Sequence, residues 1–148
     1  MNSGVSSGLL PKGRVEGSVM DLNFLAIAIA AVAAFIISGV WYGVQGSQLA
    51  ELHPAYSDSG PPSARDAVIE LARNLVVAFV VAWLAGEIGV GDWAQAALLG
   101  FVLWIGFPVV LLTGSVYHEK VPVELASIHA GDWLLKLVVI SMIIGVWQ

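Results

Sequence analysis

Residues 22–44 read LNFLAIAIAAVAAFIISGVWYGV, 23 consecutive positions without a charged side chain. At about 1.5 Å per residue a helix of that length is about 35 Å long, enough to cross the roughly 30 Å hydrocarbon core of a bilayer. The stretch is too long for a signal-peptide core, and its end, Trp41-Tyr42-Gly43, is no cleavage site, so it stays in the membrane. Asp21 stands just ahead of it as the expected N-cap. The rest of the chain agrees with this reading. Of its 148 residues, 58% are hydrophobic and 11% charged, and the mean hydropathy is +0.86, which excludes a soluble globular domain. Four crossings would use about 80 residues and leave about 65 for tail, loops and helix ends.

Upstream, residues 1–19 are rich in Gly and Ser and without helical periodicity, and read as a disordered tail or an upstream extension, with Met20 as an alternative start. Downstream, residues 45–62 are polar and end in Pro-Pro, giving one long loop with a short interfacial helix expected at 47–52. Ser63-Ala64-Arg65-Asp66 has the form of a capping box and opens a second span at about 64–89. Gly89-Val90-Gly91 closes it, and Asp92 caps a third span at about 93–117, so spans two and three are expected to form an antiparallel hairpin. Span three carries Pro108, which predicts a kink. The fourth span runs over about 122–147 from Pro122, a good first-turn residue. The expected architecture is all-α: a polytopic membrane protein built as a four-transmembrane-helix bundle over 20–148.

Charge narrows the partners and sets the orientation. Six Lys and Arg against 11 Asp and Glu give a net charge of −5, without the basic stripe a nucleic-acid partner requires. The bilayer is the expected partner, with self-association or a larger membrane complex beside it. Arg65, Lys120 and the inlet of Arg73 fall on the side of the two longer loops, so the positive-inside rule puts those loops in the cytoplasm and both termini outside. Trp41, Tyr42, Trp93, Tyr117 and Trp147 fall near span ends, where amphipathic rings anchor a helix at the interface.

A charge inside a span costs roughly 2.5–3.5 kcal/mol on insertion scales, so those that persist are paired, face the other helices or serve a function. His129, Asp132 and Lys136 share one stripe of span four, with Asp132 four residues ahead of Lys136 as an ion pair prefers; Asp66, Glu70 and Arg73 share one stripe of span two. Glu70, Arg73, His129, Asp132 and Lys136 are therefore expected to form a buried polar cluster, as structural glue between helices, as a proton or substrate relay, or as a lipid-headgroup site. Small residues at four-residue spacing, namely Ala26, Ala30 and Ala34, Gly39 with Gly43, Ala96 with Gly100, and Ala126 with Ala130, are expected to let helices approach closely. A faint echo relates Trp41-Tyr42-Gly43 to Trp104-Ile105-Gly106, and Arg73 to Lys136, each pair 63 positions apart.

The chain has no cysteine, hence no thiolate site or disulfide. His53, His118 and His129 lack metal-ligand spacing, and neither a nucleophile elbow nor a phosphate-binding loop is present, so no catalytic residue, metal or cofactor is expected.

Met20-Asp21-Leu22-Asn23-Phe24 running into Gly39-Val40-Trp41-Tyr42, Leu98-Leu99-Gly100 through Trp104-Ile105-Gly106, and Ala130-Gly131 followed by Ile144-Gly145-Val146-Trp147 together resemble the small bacterial membrane proteins of domain of unknown function family 1761. The resemblance covers about 20–148. It implies four transmembrane helices, a bacterial cytoplasmic membrane and Met20 as the start, and it implies no activity. After Tyr42, where the family continues with a proline and aromatics, this chain has Gly43-Val44-Gln45-Gly46. The expectation is a non-enzymatic structural or accessory membrane component; the alternative is a small transporter or channel subunit that uses the charges of spans two and four.

Overall fold

A computed structural model describes residues 22–57 and 63–147. Asp21 and the tail lie outside them. Four helical segments are long and apolar enough to cross a membrane, Phe24–Leu52, Ala64–Ile88, Trp93–His118 and Val123–Val146, and no strand occurs among the described residues. The all-α expectation holds, and the chain is a multi-pass membrane protein by the length and composition of these helices.

Helix α1 (Phe24–Leu52) is capped by Asn23, whose Oδ1 accepts from the Ala26 N–H at 3.1 Å. It runs two turns past the loop boundary expected at residue 45. Leu49 explains the extension: it is buried against Leu125 and Ile128, so tertiary contact carries the helix through a polar stretch. One turn, α2 (Pro54–Ser57), follows.

The capping box ahead of α3 (Ala64–Ile88) forms as read: Asp66 N donates to Ser63 Oγ at 3.3 Å and Ser63 N to Asp66 Oδ2 at 3.0 Å. Gly89 ends the helix at φ +68°, a left-handed conformation that suits a residue without Cβ. Asp92 Oδ1 then accepts from Ala94 N and Gln95 N and starts α4 (Trp93–Trp104).

At Pro108, where a kink is expected, the third span widens into a π-helical turn (Ile105–Val109) before α5 (Val110–His118). The extra residue in the turn relieves the conflict between the proline ring and the carbonyl four residues back. Helix α6 (Val123–Val146) completes the fold.

The organising element is α6, which packs against α1, α3, α4 and α5, while α1 also packs against α3. Spans two and three, expected as an antiparallel hairpin, do not pack along each other. The turn at 89–92 joins them, but no comparable contact runs along α3 and α4, because α3 turns its buried face to α1 and α6 and α4 turns its own to α6. Ala30, Ala31 and Ala34 meet Ala78, Val81, Ala82, Leu137, Ile140 and Ile144 in the core.

Gly100 lies on the backbone of α6, where an added Cβ would stand 2.6 Å from the Leu137 carbonyl oxygen, and one on Gly145 would stand 2.5 Å from Ala96 Cβ. Ala96 and Ala126 are buried as well. Gly39 and Gly43 correct the expectation for small residues: among the described residues nothing lies within 4 Å of a Cβ at either, so this GxxxG does not pack against the other described helices. That face of α1 turns outward, where Val40 and Val44 are also exposed.

Candidate functional site

The ion pair expected on α6 is present. Lys136 Nζ stands 2.7 Å from Asp132 Oδ2, and both side chains are almost fully buried. Four residues of separation put them on one face of the helix, about 14 and 20 Å along it from Val123.

Neither charge depends on the other alone. Ser38 of α1 donates its hydroxyl to Asp132 Oδ1 at 2.8 Å, Glu70 Oε1 of α3 lies 3.4 Å from Lys136 Nζ, and the Trp133 ring centre is 4.6 Å from the same ammonium. Glu70 Oε2 in turn accepts from Arg73 Nη1 at 3.0 Å. The result is a ladder of alternating charge, Asp132, Lys136, Glu70, Arg73, that climbs from the protein interior to a guanidinium with 61% of its side chain exposed.

Beside the ladder, His129 links two tyrosines. Tyr42 Oη is 2.7 Å from Nδ1, and Tyr56 Oη, carried by α2, is 3.4 Å from Nε2. A neutral imidazole donates from one nitrogen and accepts at the other, so one hydroxyl serves as donor and the other as acceptor. Tyr42, Tyr56, Glu70, Arg73, His129, Asp132, Trp133 and Lys136 together line a pocket of about 320 Å³. Its acids and bases balance, Asp132 and Glu70 against Lys136 and Arg73, so their formal charges sum to zero.

All five residues expected in the cluster are brought together. Ser38, Tyr42, Tyr56 and Trp133 were not assigned to it from sequence. Ser38 and Tyr42 stand four apart on α1, and a serine beside an aromatic residue in a charge-free span is the one signal that could have placed them.

Trp41 and Tyr42 depart from the expected anchor role. Trp41 lies against Gly131, and its Nε1 donates to the Ile128 carbonyl at 2.9 Å, while Tyr42 turns to His129. Both are held by the polar entry half of α6, which offers them hydrogen-bond partners that lipid lacks. Trp93, Tyr117 and Trp147 are exposed near helix ends. Trp104, the echo of Trp41, also donates to α6, from Nε1 to the Ala130 carbonyl at 2.8 Å. Ala130 itself is half-buried.

Among the described residues no three His, Asp or Glu side chains converge as metal ligands. No curated protein and no solved structure matches the chain significantly. The family model described as a protein of unknown function, DUF1761, matches residues 25–145, a span that holds every member of the ladder and the tyrosine pair, and the chain belongs to that family.

Proposed function

We propose that the protein is a non-enzymatic structural or accessory component of the bacterial cytoplasmic membrane, and that its buried charges bind its helices together. The observation that carries this reading is the closure of the Asp132–Lys136 pair by Ser38 from α1 and Glu70 from α3. Three helices meet at one ion pair. In lipid, where helices gain little from apolar contact, such bonds supply specificity of packing.

Beyond Lys136 the interior is Ala34, Val81, Ile140 and Ile144, with Ser141 as the one buried polar side chain farther along α6. This apolar half counts against a continuous polar path. The orientation proposed with it has the loops around 53–63 and 119–122 in the cytoplasm and both termini outside, supported by Arg65, Arg73 and Lys120 on the loop side. Self-association or docking into a larger membrane complex would use the outward face of Gly39 and Gly43, which nothing among the described residues covers.

The alternative, a transporter or channel subunit, takes the 320 Å³ chamber as the mouth of a path. Single cysteines in this cysteine-free chain separate the two. Tyr56→Cys and Arg73→Cys should react with a membrane-impermeant maleimide from the cytoplasmic side alone, and Ile140→Cys and Ser141→Cys from neither side. Labelling at 140 or 141 from either face would replace the structural reading with a path, and labelling at 56 from outside intact cells would invert the orientation.

A further inference from the structure

Because α3 and the third span do not pack on each other, a cleft remains between them, floored by α6. Its deeper part is an apolar groove of about 490 Å³, with Val80 and Leu84 on one wall, Phe107 and Leu111 on the other, and Trp133 and Leu137 beneath. That volume falls within the range of roughly 300–1,000 Å³ typical of small-molecule sites. Exposed Val76, Phe107 and Leu111 rim it, so it opens sideways to the surroundings of the helices.

The groove is not isolated. Val76, Val77 and Trp133 also line a second chamber, which adds Glu70, Arg73, Asn74 and Lys136, and the last of these reaches the polar pocket already described. One continuous cleft therefore passes from purely apolar walls to a guanidinium.

Two polar groups along it lack a full set of partners. Asn74 is 3% exposed and lines the middle chamber, and its Nδ2 has no acceptor among the described residues. A buried amide donor left unpaired is costly, so an acceptor at this point would be bound rather than tolerated. Arg73 gives one hydrogen bond to Glu70, out of five N–H donors suited to a bidentate oxyanion.

The order of chemistry along the cleft, apolar groove, buried amide donor, guanidinium, matches the order acyl chain, ester carbonyl, phosphate in a glycerophospholipid. Depth agrees as well. The uninterrupted apolar part of α3, residues 75–86, is about 18 Å long, short of the roughly 30 Å core, and a short span draws the bilayer surface inward on its side. Phosphate then comes within reach of Arg73. We propose that the cleft is a binding site for one membrane phospholipid, with its phosphate on Arg73, an ester carbonyl on Asn74 Nδ2 and an acyl chain in the groove beneath Phe107 and Leu111.

The test is native mass spectrometry of the full chain released from mild detergent micelles, with dioleoylphosphatidylglycerol or dioleoylglycerol added. The chain should retain one phospholipid about tenfold or more better than the neutral lipid with the same tails, as charge-assisted hydrogen bonds predict. Arg73→Gln should erase that difference. Val80→Trp and Leu111→Trp, which fill the groove from opposite walls at exposed positions, should abolish retention of both lipids while helicity and elution volume stay unchanged. Equal retention of the two lipids by the parent chain, or full retention by both Trp variants, overturns the proposal. Displacement by millimolar inorganic phosphate would make the site one for soluble anions, and a dimer lost in the Trp variants would assign the groove to a second copy.

Discussion

Replacing Lys136 with Met keeps the length of the side chain and removes its charge. What remains is the Asp132 carboxylate, 1% exposed, with the Ser38 hydroxyl as its donor, and a Trp133 ring without its cation. Breaking a buried ion pair by removing one partner costs about 3–5 kcal/mol in proteins. The unfolded helices of a membrane protein also find partners in lipid, which reduces the difference, so a loss of about 3 kcal/mol is expected.

At 1.4 kcal/mol per decade this is about a 150-fold shift in the folding equilibrium. It can be read by titrating the protein in mixed micelles with SDS and following far-ultraviolet circular dichroism and Trp fluorescence. The double variant Asp132→Asn with Lys136→Met removes both charges and leaves Ser38 a neutral partner, so it should recover to within about 1 kcal/mol of the parent, since replacing both partners of a buried pair is close to neutral. A loss below about 1 kcal/mol in the single variant, or a double variant no more stable than the single, would refute the view that the pair holds three helices together.

Gly100→Ala must push α4 off the Leu137 and Val138 backbone and should cost about 1–3 kcal/mol in the same titration, whereas Gly39→Ala meets no neighbour and should be neutral or stabilising by up to about 1 kcal/mol. Gly89→Ala puts a Cβ on a residue at φ +68° and should lose about 1–2 kcal/mol, with helicity retained. Trp41→Phe removes the bond to the Ile128 carbonyl together with the indole carbons Cζ2 and Cη2 that lie against Gly131, so a loss of at least about 1 kcal/mol is expected; no change would return Trp41 to an interfacial role.

Much of this fold was legible because lipid leaves the chain few choices. Charge-free runs, the Ser63–Asp66 box, Gly89 and Asp92 are local signals, and each acts through neighbours a few residues away. The ladder was legible for the same reason: Asp132 with Lys136 and Glu70 with Arg73 sit at helical spacing, and a charge in a span needs a partner. What escaped depends on which helix faces which. Nothing in 45–52 shows that Leu49 will meet Leu125 and Ile128, and nothing near Gly39 and Gly43 shows that their face will be left uncovered. Trp41 and Trp104 look alike in sequence to Trp93, yet two of them find backbone carbonyls on α6 and one does not. The short turn at 89–92 suggested an antiparallel hairpin, but Ala96 and Gly100 of α4 pack on Gly145 and the Leu137 backbone of α6, while the alanines of α3 face α1 and α6.

The central position of α6 has a bearing on assembly. It follows α1, α3 and α4 in the chain, so a chain made from its N-terminus places three helices in the bilayer before their common partner exists. Until then Glu70 has only Arg73 to balance it, and Ser38 faces lipid without an acceptor. Insertion and folding are thereby separated in time: the earlier helices can enter the membrane singly, and the helix that carries Asp132 and Lys136 acts as the keystone that converts them into one body.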